Sequence, residues 1–165
     1  MNNFYLQNLP KDLKSFLILF LFTIGIGIAV GLLYVNLTTN MSPSGTVERF
    51  NGSEVLDSSE IPTEFPKPIE NMILTTHNHV ISFAMISFLI GFIFYFNTII
   101  NGKFKFFLLI EPFISTIITF SSLWLMRYVN ASFSYLMILT AIIMYLCWYI
   151  MIITSILNLL KNKDN

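Results

Sequence analysis

The residues able to do chemistry are few. The only two histidines stand in Thr75-Thr76-His77-Asn78-His79. A neutral imidazole is a common metal or haem ligand, and its charge switches near neutral pH. Residues two apart on a helix point about 200° apart, whereas one ion held by one helix needs a spacing of three or four. His77 and His79 can therefore share an ion only if this stretch is unwound. Otherwise each needs partners from elsewhere. Glu70 lies two turns before His77 on the same face and completes the candidate metal-ligand set; His79 shares its face with Met72, Thr75 and Ser82. The plainer reading is of two interfacial side chains bonded to water or a loop carbonyl.

A second group is periodic. Glu111, Ser115, Thr119, Ser122 and Met126 recur at spacings of four, four, three and four, and Arg127 ends the run. That traces one face of a helix. An ionisable group inside a membrane is costly and reads as functional by default, so the stripe is a candidate polar or proton route. Against that, Glu111 is about two turns from Lys105 and could snorkel or pair with it, Pro112 is ordinary near a helix start, and small hydroxyl residues commonly mark helix packing. A third group is sulfur-bearing: Met137, Met144, Cys147 and Met151, with Thr140, Ser155 and Asn158 in phase. Thioether and thiolate groups suit copper(I), but Met also fills irregular apolar gaps. Gly27 and Gly31 form a GxxxG pair, and Ser87 and Gly91 a similar small face, both allowing close helix approach. No set of residues supports a named enzyme reaction.

The elements that must position these groups follow from composition. The 165-residue chain is 55% hydrophobic and 11% charged, less than half the charge of an ordinary soluble domain. It cannot cover a globule with hydrophilic side chains. Lys and Arg balance Asp and Glu at nine each, so no net field draws nucleic acid. One cysteine excludes a disulfide framework and a Cys-based zinc site. Four apolar runs reach the roughly 20 residues that a helix needs to cross a bilayer: 15–35, 80–100, 106–126 and 133–160. Backbone groups in lipid must be paired internally, which makes these runs helices. The first is longer than a signal-peptide core and lacks a small-x-small end, so it reads as a retained anchor. The prediction is an all-α membrane four-helix bundle in one domain.

Lysines set its sidedness. Lys11 and Lys14 precede the first span, Lys103 and Lys105 separate the second and third, and Lys161 and Lys163 follow the fourth. If all four runs cross, these three sites share one side. The opposite side carries Arg49, Lys67 and Arg127 diluted by Glu48, Glu54, Asp57, Glu60, Glu64 and Glu70. The positive-inside rule places both termini in the cytoplasm. Residues 36–67, rich in Pro, Gly and Asn, read as an outer loop over the bundle's mouth. Pro68 suits a helix's first turn, so the second helix is expected to begin there.

Thr76-His77-Asn78-His79 resembles a group of small bacterial membrane proteins with a Thr-His-x-His at the outer edge of their second span. Ser42-Pro43-Ser44-Gly45, Phe50-Asn51-Gly52 and Pro66-Lys67 are similar to that group's upstream motifs. Its members often carry a His where Arg49 stands here. The resemblance implies a bacterial inner-membrane home and assigns no reaction.

Three functional expectations result. The first is a non-enzymatic accessory subunit in membrane redox or metal handling, holding haem or copper near the outer face through His77 or His79. The second is a small transporter or proton-coupled protein using the Glu111 stripe. The third is a structural partner, as a homodimer or in a larger membrane complex, packed through Gly27 and Gly31.

Overall fold

The computed structural model describes residues 5–53 and 61–161. Glu54, Asp57, Glu60 and Lys163, which entered the charge reading above, lie outside the described residues. Among the described residues the chain is all-helical. A short 3-10 turn at Leu6–Asn8 is followed by α1 (Lys11–Thr39), α2 (Pro43–Asn51), α3 (Ile69–Tyr95), α4 (Gly102–Tyr128) and α5 (Phe133–Leu160). The four long helices are apolar enough to span a bilayer. At 27 to 29 residues each, they reach about 40 Å, past a hydrocarbon core of roughly 30 Å. The molecule is a multi-pass helical membrane protein.

Local chemistry sets the boundaries. α1 stops where Asn40 and Met41 turn left-handed at φ 50° and 49°, a conformation that Asn tolerates. The segment treated above as a loop starts a new helix at once. Ser42 caps α2 by accepting the Gly45 N–H at 3.0 Å, and Pro43 occupies the first turn. Gly45 is required here, because a Cβ would sit 2.1 Å from the Thr39 carbonyl oxygen. Gly52, at φ 90°, ends α2. α3 starts directly after Pro68.

α4 and α5 pack most closely, α3 lies against both, and α1 flanks α5. The main core gathers Ile90, Phe94, Leu108, Met144, Trp148, Met151 and Ile152. Trp148 meets Phe83 and Tyr145 edge-on, with ring centroids 5.2 and 5.3 Å away. Its indole N–H donates to Ser87 Oγ at 3.0 Å. A smaller cluster of Met72, Phe120, Leu123 and Met126 joins α3 and α4 towards the other end. Only 11% of the most apolar stretch of α1 is buried, against 50% for α4. α1 is therefore mostly lipid-facing, and α4 is the central helix.

Side-chain clamps identify the two ends. At one, Leu6 N–H donates to the Phe96 carbonyl and Lys14 Nζ to the Lys161 carbonyl at 2.9 Å. Asn158 Oδ1 accepts the Thr98 N–H, Asn158 Nδ2 donates to Thr98 Oγ1, and that hydroxyl donates to Gln7 Oε1. The start of α1, the α3–α4 turn and the end of α5 thus share one end. At the other, Arg49 pairs with Glu64 at 3.3 Å and donates to Tyr34 Oη, while Asn51 Nδ2 donates to the Met126 carbonyl.

This arrangement fixes an accessibility pattern. Cys147 is buried, so a membrane-impermeant maleimide should leave the native protein unlabelled. Cysteine placed at exposed Ser44 should react from one face of a sealed vesicle, and at exposed Lys103 only from the other. Labelling of both from the same face would contradict the fold.

Candidate functional site

The Glu111 stripe faces inward along its whole length. Glu111, Ser115, Thr119, Ser122 and Met126 are all buried, with Glu111 8% exposed and the others less. The periodicity of α4 brings them together because α5 covers that face. Ser115 Oγ donates a short hydrogen bond to Glu111 Oε1. Thr116 Oγ1 donates to the Pro112 carbonyl at 2.7 Å and lies 3.3 Å from the Met144 sulfur. Thr119 and Thr140 hydroxyls meet across the helices at 2.7 Å. Thr140 also bonds the Leu136 carbonyl at 3.0 Å. A hydroxyl has one proton, so when Thr140 gives it to Leu136, Thr119 is the donor between them.

The sulfur face of α5 closes the same seam. Met144, Cys147 and Met151 are buried, while Met137 is half-buried against the smaller core cluster. Cys147 lies beside the Glu111 carboxyl, a juxtaposition that no spacing within one helix could reveal. Glu111 neither snorkels nor pairs with Lys105, whose ammonium donates to the Asn97 carbonyl at 2.8 Å. Pro112 is also not near the start of its helix. It lies ten residues beyond Gly102, nearly three turns in. Lacking an N–H, it leaves the Leu108 carbonyl without its helical donor, one turn from Glu111.

Five buried side-chain atoms among the described residues have no hydrogen-bond partner. They are Glu111 Oε2, Ser155 Oγ, Asn97 Nδ2, Asn51 Oδ1 and Arg127 Nε. Asn97 is in the α3–α4 turn at one end, Ser155 is in the adjoining part of α5, and Glu111 is further along α4. Asn51 and Arg127 are at the opposite end, where Asn51 also bonds the Met126 carbonyl. Such atoms are rare because each costs about 1–3 kcal/mol when left bare. At that opposite end, an open groove of about 630 Å³ runs between α2 and the α4–α5 turn, and buried Ser134 contributes to its lining.

The histidines are elsewhere. α3 is continuous through 69–95, so His77 and His79 point to different sides, and both are exposed. His79 Nδ1 lies 2.8 Å from the Thr75 carbonyl, and its ring packs against Phe83 and Phe120 at 5.4 and 5.6 Å. Glu70 is exposed on the first turn of α3. Arg127 lies over the Tyr128 ring at 5.5 Å. The structure does not bring His77, His79 and Glu70 into one group. Among the described residues, no three His, Cys, Asp or Glu side chains gather closely enough to hold a metal ion. Sequence reasoning missed the Trp124–Thr76 bond, in which the indole N–H donates to Thr76 Oγ1 at 2.9 Å. The only signal for it was the buried polar end that a Trp always brings.

A family model described as a transmembrane helical domain, Aq_1264_TM, matches residues 40–165. The chain belongs to this family, and the matched region takes in α2 to α5. No curated protein and no solved structure matches the chain.

The seam should be energetically coupled. Ser115→Ala leaves the Glu111 carboxyl without its donor and should cost about 1–3 kcal/mol in reversible unfolding in detergent. The same change made in a Glu111→Leu background should cost much less. Equal costs in both backgrounds would show that the two groups do not interact.

Proposed function

We propose that this small membrane protein is proton-coupled, with Glu111 as the group that takes up and releases the proton on a route between α4 and α5. The observation that carries this reading is a buried carboxyl with one oxygen fixed by Ser115 and the Cys147 thiol beside it, its Oε2 making no hydrogen bond of good geometry. It lies on the buried polar face of α4 that runs from Glu111 through Ser115 and Thr119 to Ser122. Fixing Oε1 orients the carboxyl and leaves Oε2 as the atom open to a proton. On one side, Ser155 Oγ is the next buried polar group towards the Asn158–Thr98 end. On the other, the Thr119–Thr140 pair, Ser122 and Ser134 lead to the groove beside α2. A bundle built only for stability gains little from orphaned polar atoms in hydrocarbon, which favours a route over simple packing. The lysine asymmetry and the resemblance to small bacterial membrane proteins support a bacterial inner membrane, with both termini cytoplasmic.

A second reading, a subunit docked through α1, has one observation in its favour. Ideal Cβ atoms built on Gly25, Gly27 and Gly31 meet nothing within 4 Å, and Gly27 and Gly31 border an apolar lateral cleft with Phe83, Ile86 and Trp148. A reproducible partner in a native pull-down, lost on Gly27→Leu, would favour it. An accessory role in redox or metal handling through haem or copper at His77 or His79 has weaker support, because among the described residues no ligand set gathers around either imidazole.

The test is proton flux in sealed proteoliposomes under an imposed gradient, read by a pH-sensitive dye. Wild-type protein should dissipate the gradient, and Glu111→Gln, which keeps the shape and the Ser115 partner, should fall to the level of empty liposomes. Undiminished flux in Glu111→Gln would remove Glu111 from the route.

A further inference from the structure

Among the described residues, formal charge is divided unevenly between the two ends of the bundle. At the end where α1 begins, α3 turns into α4 and α5 finishes, the described charged residues are Lys11, Lys14, Lys103, Lys105 and Lys161, with Asp12 as the acid. At the other end, Arg49, Lys67 and Arg127 are balanced by Glu48, Glu64 and Glu70. The basic side chains come from α1, α4 and the end of α5, and the fold places them at the same end of the bundle. Lys14 Nζ reaches the Lys161 carbonyl at 2.9 Å, and Lys105 Nζ reaches the Asn97 carbonyl at 2.8 Å while lying 5.6 Å from the Tyr95 ring centroid. Lys11 and Lys103 are exposed. α4 also starts in this layer without a side-chain cap, so its first N–H groups add to the positive potential. In the Asn97 turn that holds the Lys105 ammonium, Asn97 Nδ2 is a buried donor lacking an acceptor.

We infer that this end binds anionic phospholipid headgroups, with Lys11 and Lys103 as its exposed contacts. Charge complementarity selects this occupant. The surface is cationic, lies where headgroups meet the ends of membrane-spanning helices, and is bordered by exposed apolar side chains such as Tyr95 and Phe104 that suit acyl chains. Juxtamembrane lysines each contribute on the order of 1 kcal/mol to attraction towards anionic lipid. A zwitterionic headgroup offers no net charge to this surface.

The experiment is native mass spectrometry of the full chain in neutral detergent, titrated in parallel with phosphatidylglycerol, phosphatidylcholine and inorganic phosphate. Phosphatidylglycerol should bind well ahead of phosphatidylcholine, and phosphate at the same concentration should neither bind nor displace it. The double substitution Lys11→Gln with Lys103→Gln, at exposed positions outside the core, should weaken phosphatidylglycerol binding roughly thirtyfold. Equal binding of the two lipids, or a double variant that binds as well as wild type, would overturn the assignment. Displacement by phosphate would show a free-anion site in place of a headgroup site. None of these readouts depends on Glu111 or on proton flux.

Discussion

Hydrocarbon offers no hydrogen bonds, so every polar group carried into it must find a partner within the protein. That constraint organises this molecule around the α4–α5 seam. The backbone satisfies itself by forming helices. The side chains cannot, and α4 carries Glu111, Ser115, Thr119 and Ser122 on one face. Covering that face with α5 lets Ser115 meet Glu111 and Thr119 meet Thr140. α3 then seals one flank through Trp148–Ser87 and Trp124–Thr76. α1 brings fewer polar obligations and remains largely in lipid.

The same constraint gives the exceptions their meaning. Glu111 Oε2 and Ser155 Oγ are two of five buried side-chain atoms without partners among the described residues, with Asn51 Oδ1, Asn97 Nδ2 and Arg127 Nε. Pro112 withholds a backbone donor one turn away. A seam that only glued helices together would be stabler with Leu or Ala at these places. An open groove beside Ser134 lies at the α2 end of the bundle.

Much of this was legible in the residues themselves, for local reasons. The spans follow from hydropathy, and the inward face of α4 follows from the spacing of Glu111, Ser115, Thr119 and Ser122. The separation of His77 from His79 follows from a spacing of two once the helix is continuous. What was not legible depends on other helices. Nothing in α4 says that Cys147 faces Glu111, and nothing in span one says that its glycines stay open. The short helix α2 was hidden for a different reason. Nine residues give too few periods to stand out, and the Ser42-Pro43 start followed by Gly52 reads equally well as a chain of turns. Its ends are marked in the residues by the Ser42 N-cap and the Gly52 C-cap. The histidines drew attention by their rarity, but rarity says nothing about neighbours. Their rings meet phenylalanines and a helical carbonyl, an environment that composition cannot forecast.

The seam can be tested without reference to any activity. Thr119 and Thr140 have hydroxyl oxygens 2.7 Å apart, and cysteine is close to threonine in reach. In a Cys147→Ser background, the double variant Thr119→Cys with Thr140→Cys should form an intrachain disulfide on mild oxidation in the membrane, seen as linked α4 and α5 peptides by mass spectrometry. A variant that inserts and folds but yields only reduced peptides would mean that these faces do not meet, and that Glu111 does not lie on a line of buried polar groups between α4 and α5.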